Sequence, residues 1–366
     1  MRIRRLERSE HKQTRWLYEQ VFAEDSREFV DYYYTWKTKD SIIYVAEDEN
    51  GFHAMVHLNP FLVSVSGKVQ KLHYIVAVAT QKEYRHQGLM RRLLELAERE
   101  MVQRGELFTF LMPASEKIYL PFGYRFFAWQ RKGVLRADSM AGVSGAPGKS
   151  EDRLILAAEV QSGFATDAIK REAVPSVVCG AVCRPVRLQE YGKLAAFVND
   201  TLSRQYDVFI FRDAAYYERL CAEQKCQGGE VMVIVQAGQE PERSDEKACA
   251  KSGRSGEKSC AEPERPDTKM GRKKGRIIGT FCTAREEADS EYAMEIREVI
   301  FAEEMQTEAL DALREFVNGG CRVAGCQAPI ALEQETFEPL LMGKVPGGGE
   351  FAGLWDRKRV FINEVV

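Results

Sequence analysis

Histidine is scarce in this chain: of 366 residues only His11, His53, His57, His73 and His86 are histidine, and none follows His86. A zinc site completed by histidine is therefore excluded from most of the molecule. The nine cysteines are an odd number without a single Cys-x-x-Cys spacing. Cys179 and Cys183, Cys221 and Cys226, and Cys321 and Cys326 lie near one another in sequence. They read as isolated thiols rather than as a disulfide framework or a metal site, which points to a reducing cytoplasm. No apolar run approaches a membrane span, and Met1–Leu6 lacks the apolar core of a signal peptide and reads as a first strand. Neither sign of charge dominates: 52 basic against 55 acidic side chains leave a formal charge of −3. That balance gives no general electrostatic reason to bind nucleic acid or an anionic membrane. No Lys-Ser or Lys-Thr follows the glycine at 88, so that segment is not a Walker loop.

What is present is a long alternation of strand and helix patterns, in a chain long enough for two domains. Residues 9–22 and 26–37 read as helices, with Trp16, Leu17, Val21 and Phe22 as core positions. Ser41–Ala46 is an apolar strand. Ala54–Val65 and Val69–Ala79 form a long hairpin across Ser66-Gly67. Leu107–Met112 and Tyr124–Leu135 are further strands.

Between the hairpin and the next strand lies the most informative segment, Arg85-His86-Gln87-Gly88-Leu89-Met90. A strand, His73–Ala79, feeds it. An amphipathic helix with Leu89, Leu93, Leu96, Ala97 and Met101 on one face leaves it. A glycine turn opening a helix directs unpaired backbone N–H groups and the positive dipole end outward, an anion cradle to which Arg85, Arg91 and Arg92 add charge. A dinucleotide fingerprint is excluded, because the second and third glycines are missing.

Arg-x-x-Gly after an apolar strand resembles the acetyl-CoA loop of the GCN5-related N-acetyltransferase (GNAT) superfamily, although Met90 stands where that family has a small residue. Ala114–Tyr124, with Ser115-Glu116, Ile118-Tyr119 and Phe122-Gly123-Tyr124, is similar to the Eis (enhanced intracellular survival) branch. So is the tail, Phe361–Val366. The resemblance implies an acetyl-CoA site on the backbone of Val76, Ala77 and Val78, on Arg85, His86, Gln87, Gly88, Leu89 and Met90, and on Ser115. It implies Tyr119 as the proton donor to the leaving thiolate, and the α-carboxylate of Val366 as the proton acceptor. The strand before the loop carries no acid of its own; Glu83 and Glu116 are the neighbouring alternatives.

The fold class expected is α+β or α/β: two tandem GNAT-like mixed-sheet domains with helices on both faces, the second degenerate. The catalytic domain spans 1–135 and an irregular linker 136–185. The second domain spans 186–320, interrupted at 239–274 by a charged Ser/Gly/Pro-rich stretch that reads as a disordered insertion. Helices are expected near 189–203, 213–224 and 305–317, and strands at Val231–Val235, Arg276–Cys282 and Tyr292–Phe301. Ile300–Glu304 stands where the anion loop would be, and its two carboxylates would repel a pyrophosphate. The remainder, 321–366, reads as a C-terminal segment short of the sterol-carrier-like domain of Eis proteins.

The function expected is acetyl-CoA-dependent N-acetyl transfer to a primary amine of a small cationic molecule, aminoglycoside- or polyamine-like. The alternative is a non-catalytic CoA-binding or protein-interaction module on the same fold. No metal, nucleic acid or membrane is expected as a partner, and homo-oligomerisation is left open.

Overall fold

A computed structural model of the chain describes residues 1–137, 180–236, 275–286, 290–292, 294–349 and 359–363. The insertion at 239–274, most of the linker and Val366 lie outside the described residues. The first half runs β1 (Arg2–Arg5), a 3-10 turn (Arg8–Thr14), α1 (Arg15–Val21), α2 (Arg27–Trp36), β2 (Ile42–Asp48), β3 (Gly51–Val65) and β4 (Lys68–Thr80). It continues with α3 (Leu89–Gln103), β5 (Thr109–Leu111), α4 (Glu116–Tyr119) and β6 (Arg125–Arg136). The second half runs β7 (Ala181–Pro185), α5 (Tyr191–Gln205), β8 (Val208–Ile210), α6 (Ala214–Cys226), β9 (Val231–Gln236) and β10 (Ile277–Arg285). Then come β11 (Met294–Phe301), α7 (Gln306–Val317), β12 (Gly320–Cys326), β13 (Glu333–Lys344) and β14 (Val360–Phe361).

Local chemistry accounts for the punctuation. Ser66 and Gly67 both take positive φ, 49° and 79°, as a two-residue hairpin turn requires. Ser26 caps α2 by accepting from Phe29 N–H, and Asp213 caps α6 by accepting from Tyr216 N–H. Residues 8–14 form a 3-10 turn rather than the α-helix their pattern suggests, and Trp16 is 44% exposed while Leu17 behind it is fully buried.

Twelve strands follow one another in the order β1-β2-β3-β4-β5-β13-β6-β12-β11-β10-β9-β7. Read inward from each edge, the two halves match. In each, three antiparallel pairings are followed by one parallel pairing, β4–β5 or β11–β12, with a helix between the partners. A last antiparallel strand then closes each half, and that strand belongs to the other half of the chain. β13 pairs with β5, β6 pairs with β12, and the two exchanged strands pair with each other. Residues 321–344 are therefore no appendage: they supply one strand to each sheet, and the boundary expected at 320 cuts through the second unit.

The helices cover both faces. In the first unit α3 packs on the face of Tyr44, Val56 and Ile75, and α1 with α2 on the face of Ile43, Val45 and Met55. In the second, α7 covers one face, while α5 and α6 enter a core shared by the units, where Tyr74, Phe110, Leu194, Tyr217, Val233 and Leu341 meet.

His57, fully buried on β3, is bonded through Nδ1 to Tyr33 Oη at 3.0 Å. Burial and the nearby His11 lower its pKa to about 3. A base whose folded pKa is depressed binds fewer protons folded than unfolded between pH 3 and about 6.5, so stability falls as the solution is acidified through that window, by about 1.4 kcal/mol per unit. Urea melts from pH 7 to pH 4 should show this slope, and His57→Phe should reduce it whatever its effect at pH 7. An unchanged slope in the variant would contradict the assignment.

Candidate active site

The site begins with an irregularity in β4. Met55 faces Ala79 and His57 faces Val76, so one residue of β3, Val56, opposes two of β4, Ala77 and Val78. Ala77 takes up the excess at φ 51°. Such a bulge bends its strand and raises the local twist. Its other neighbour, β5, pairs with β4 only at Tyr74↔Phe110. Past that point the two parallel strands separate, and Ile75 to Val78 line an open cavity of about 750 Å³. The expected backbone positions Val76, Ala77 and Val78 are thus a strand edge free to hydrogen-bond an extended ligand, in the manner of strand addition.

Beyond β4 the chain turns through Lys82–Tyr84, and His86 and Gly88 both take positive φ, 62° and 73°. Gly88 is the N-cap of α3, and a Cβ built there would meet nothing within 4 Å. Backbone conformation and the room left for a ligand, not neighbouring protein atoms, thus set the demand for glycine. Backbone N–H groups from His86 to Arg91 donate no hydrogen bond among the described residues; the first helical bond is Arg92 N–H to Gly88 O. Arg85 Nε donates to Thr80 O at 3.2 Å, and the Arg91 guanidinium lies 4.8 Å over the Phe122 ring. Leu89 is buried and Met90 half-buried against the sheet. Both anchor the helix from below and can offer a ligand only their backbone N–H groups. The residues present therefore fit a pyrophosphate at the helix start and an extended amide-bearing arm along β4.

α4 is a single turn, prolonged by Leu120–Phe122 and ended by Gly123 at φ 88°. Ser115 stands at its N-cap, exposed and off the cavity wall, whereas Tyr119 at its end lines the cavity. The Tyr119 ring meets Tyr124 edge-on at 5.9 Å, its hydroxyl has no hydrogen-bond partner among the described residues, and burial pushes its pKa up to about 12. Glu83 and Glu116 are exposed and do not line the cavity. Asn363, the last described residue of the tail, does.

The far wall was not foreseen from the sequence. It comes from the second unit: Tyr216, Arg219, Glu223 and Gln224 on α6, and Glu295 and Glu298 on β11. Lys37 joins Glu223 at 3.0 Å across the seam between units, and Tyr32 Oη donates to the same carboxylate at 2.8 Å. Two nearly buried amides on the wall, Asn59 and Gln224, each leave one polar atom without a partner.

The second unit repeats the bulge. Thr280 faces Ile300 and Cys282 faces Arg297, and Glu298 sits at φ 58° in the place of Ala77, three residues before its strand ends. Its buried carboxylate accepts from Arg212, whose guanidinium packs over Tyr216 and Tyr217. The following turn is Glu303–Met305, with Glu304 paired to Arg276, and no left-handed glycine precedes α7. β11 stays paired with β12 past the bulge, through Val299↔Cys326, so no second notch opens.

The sequence signature of the acetyltransferase (GNAT) domain family matches residues 2–127. These residues form a GNAT domain. No curated protein matches the chain in sequence. Among solved structures, a conserved protein of unknown function from Enterococcus faecalis V583 superposes with a TM-score of 0.61 at 12% identity, over 94% of this chain and 72% of its own. A GCN5-related N-acetyltransferase from Anabaena variabilis gives 0.59 at 13% identity, over 94% and 73%. Eis1 from Mycobacterium abscessus gives 0.54 at 11%, over 95% and 74%. At such identities the likeness is one of fold, and it extends over both GNAT-like units.

Gly88→Glu should abolish acetyl-CoA binding at concentrations that saturate the wild type, because it sets a carboxylate where the GNAT loop offers N–H groups. Calorimetry on the folded variant checks this. The wild type should bind a single equivalent per chain, whereas two would show that the second unit binds the ligand as well.

Proposed function

We propose that the chain is an acetyl-CoA-dependent N-acetyltransferase acting on a primary amine of a small cationic molecule. The observation that carries this reading is a convergence: the open edge of β4, which leads into the phosphate-type loop, and the Tyr119 hydroxyl border one cavity. Three carboxylates lining that cavity, Glu24, Asp25 and Asp40, have no ion-pair partner among the described residues, and of its cations, Lys37, Lys132, Arg219 and Arg297, only Arg219 has none. The excess of carboxylates favours a positively charged acceptor, and the Phe22, Phe29, Phe61 and Tyr216 rings on the wall suit its apolar parts.

Bound along β4, acetyl-CoA would bring its thioester beside the acceptor nitrogen, so that attack becomes a step within one complex. The nitrogen attacks the carbonyl carbon, a C–N bond forms and the C–S bond breaks. The nitrogen loses its proton and the sulfur leaves as a thiolate that ends as the thiol. A phenol held at about 12 keeps its proton throughout the neutral range. Tyr119 therefore acts mainly as a hydrogen-bond donor to the developing thiolate, because full transfer to a thiol of pKa near 8.5 runs uphill. The proton from nitrogen goes to a carboxylate at the cavity. Asn363 on the wall leaves Val366 within one extended-chain reach, about 10 Å, of the same space.

Tyr119→Phe should lower kcat by about 10²-fold and leave acetyl-CoA affinity unchanged, since the ring's packing is kept. Removing Glu364–Val366 should also lower turnover without loss of acetyl-CoA binding, and full turnover would reject a proton acceptor there. CoA release, followed by thiol titration over a panel of polyamines and aminoglycosides, tests the whole reading. Tight acetyl-CoA binding with no release for any amine would favour the non-catalytic CoA-binding alternative.

A further inference from the structure

A second cavity, of about 720 Å³, lies at the opposite end of β4, between the end of β1, the Arg8–Thr14 turn, the start of β2 and the chain after α3. Asp40 is the only residue it shares with the acetyl-transfer cavity. We propose that this cavity is a binding site for a small oxyanion, a phosphoryl or carboxylate group, held by His11, His73, Arg8 and Lys71.

Two histidines carry the argument. His11 and His73 are each 3% exposed, and both line the cavity. Each has its Nδ1–H committed behind it: His73 donates to Glu106 at 2.8 Å, and His11 to the Thr38 carbonyl at 2.9 Å. Nε2 of each has no hydrogen-bond partner among the described residues and, unlike Nε2 of His57, is not sealed from solvent. With so little of each ring exposed, the cavity is where those atoms open. A ring nitrogen that opens onto the cavity without a protein partner is met there by whatever the cavity holds, solvent or a ligand.

The surrounding charges decide what comes. Arg8 and Lys71 line the same space, and neither has an ion-pair partner among the described residues. Arg5 and Arg104 also line it, but reach Glu100 at 3.5 and 3.3 Å. Of the three carboxylates on the wall, Glu106 is matched by Arg104 at 2.7 Å and by His73. Glu7 and Asp40 are exposed and have no ion-pair partner among the described residues. No group of three His, Cys, Asp or Glu among the described residues is placed to hold a metal ion. An oxyanion satisfies the open cations and rings: Arg8 and Lys71 donate directly, and a proton that arrives with the anion turns each Nε2 from acceptor to donor. Glu7 and Asp40, being exposed, keep their solvent. The Glu106 carboxylate behind His73 stabilises the charge so formed.

The test uses the full chain labelled with ¹⁵N at histidine, titrated with inorganic phosphate in one arm and malonate in the other. The proposal expects saturable shifts of the His11 and His73 Nε2 resonances in at least one arm, with proton uptake seen by calorimetry in buffers of different ionisation enthalpy. Phosphate alone would identify a phosphoryl site, malonate alone a carboxylate site, and both the shared chemistry. Both cations are on the surface, so Arg8→Ala/Lys71→Ala should fold normally and keep its acetyl-CoA affinity while losing about tenfold or more in anion affinity. No saturable shift in either arm, or equal shifts in the double variant, would overturn it.

Discussion

A strand edge cannot satisfy a neighbouring strand and a ligand at once. The site depends on β4 giving up its pairing with β5 after Tyr74, and the bulge at Ala77 enforces that separation. Everything nearby follows from the split. The freed edge reaches the His86–Arg91 turn within ten residues, Tyr119 comes up beside the notch, and the gap deepens into the cavity. The same bulge in the second unit has the opposite outcome because β11 keeps its pairing with β12 past it, through Val299↔Cys326. There the bulged residue is Glu298, whose carboxylate accepts from Arg212. One backbone design thus yields a ligand notch in one copy and a wall in the other.

The exchange of β6 and β13 makes the two units one structure. Neither sheet closes without a strand from the other, so relative motion of the units would have to break the β6–β13 ladder and the Lys37–Glu223 pair together. A rigid seam suits an acceptor cavity whose two walls come from different halves of the chain.

The parts legible in the sequence were those set by neighbours in sequence. The β3–β4 hairpin, the glycine turn and the buried face of α3 each carry their own signal within fifteen residues. β12 and β13 escaped for a physical reason. Gly320–Cys326 is dominated by small residues, and Glu333–Pro339 is exposed and polar, so neither shows the alternation that marks a half-buried strand. Their strand character is imposed by β5, β6 and β11, which lie far away in sequence. β8, three residues long, was too short to carry a period. The far wall of the cavity had one readable signal, a glutamate at 298 directly before the apolar Val299–Phe301, and its meaning emerges only when Arg212 is brought beside it.

The measurement that tests the account most directly is amide hydrogen exchange of the full chain with and without acetyl-CoA. Protection on adding the ligand should appear at Val76–Val78 and at His86–Arg91, the free edge and the open turn, and be missing from Glu298–Gln306 in the second unit. Protection of the second-unit segment, or none at the turn after β4, would contradict the claim that one split strand of two makes the site.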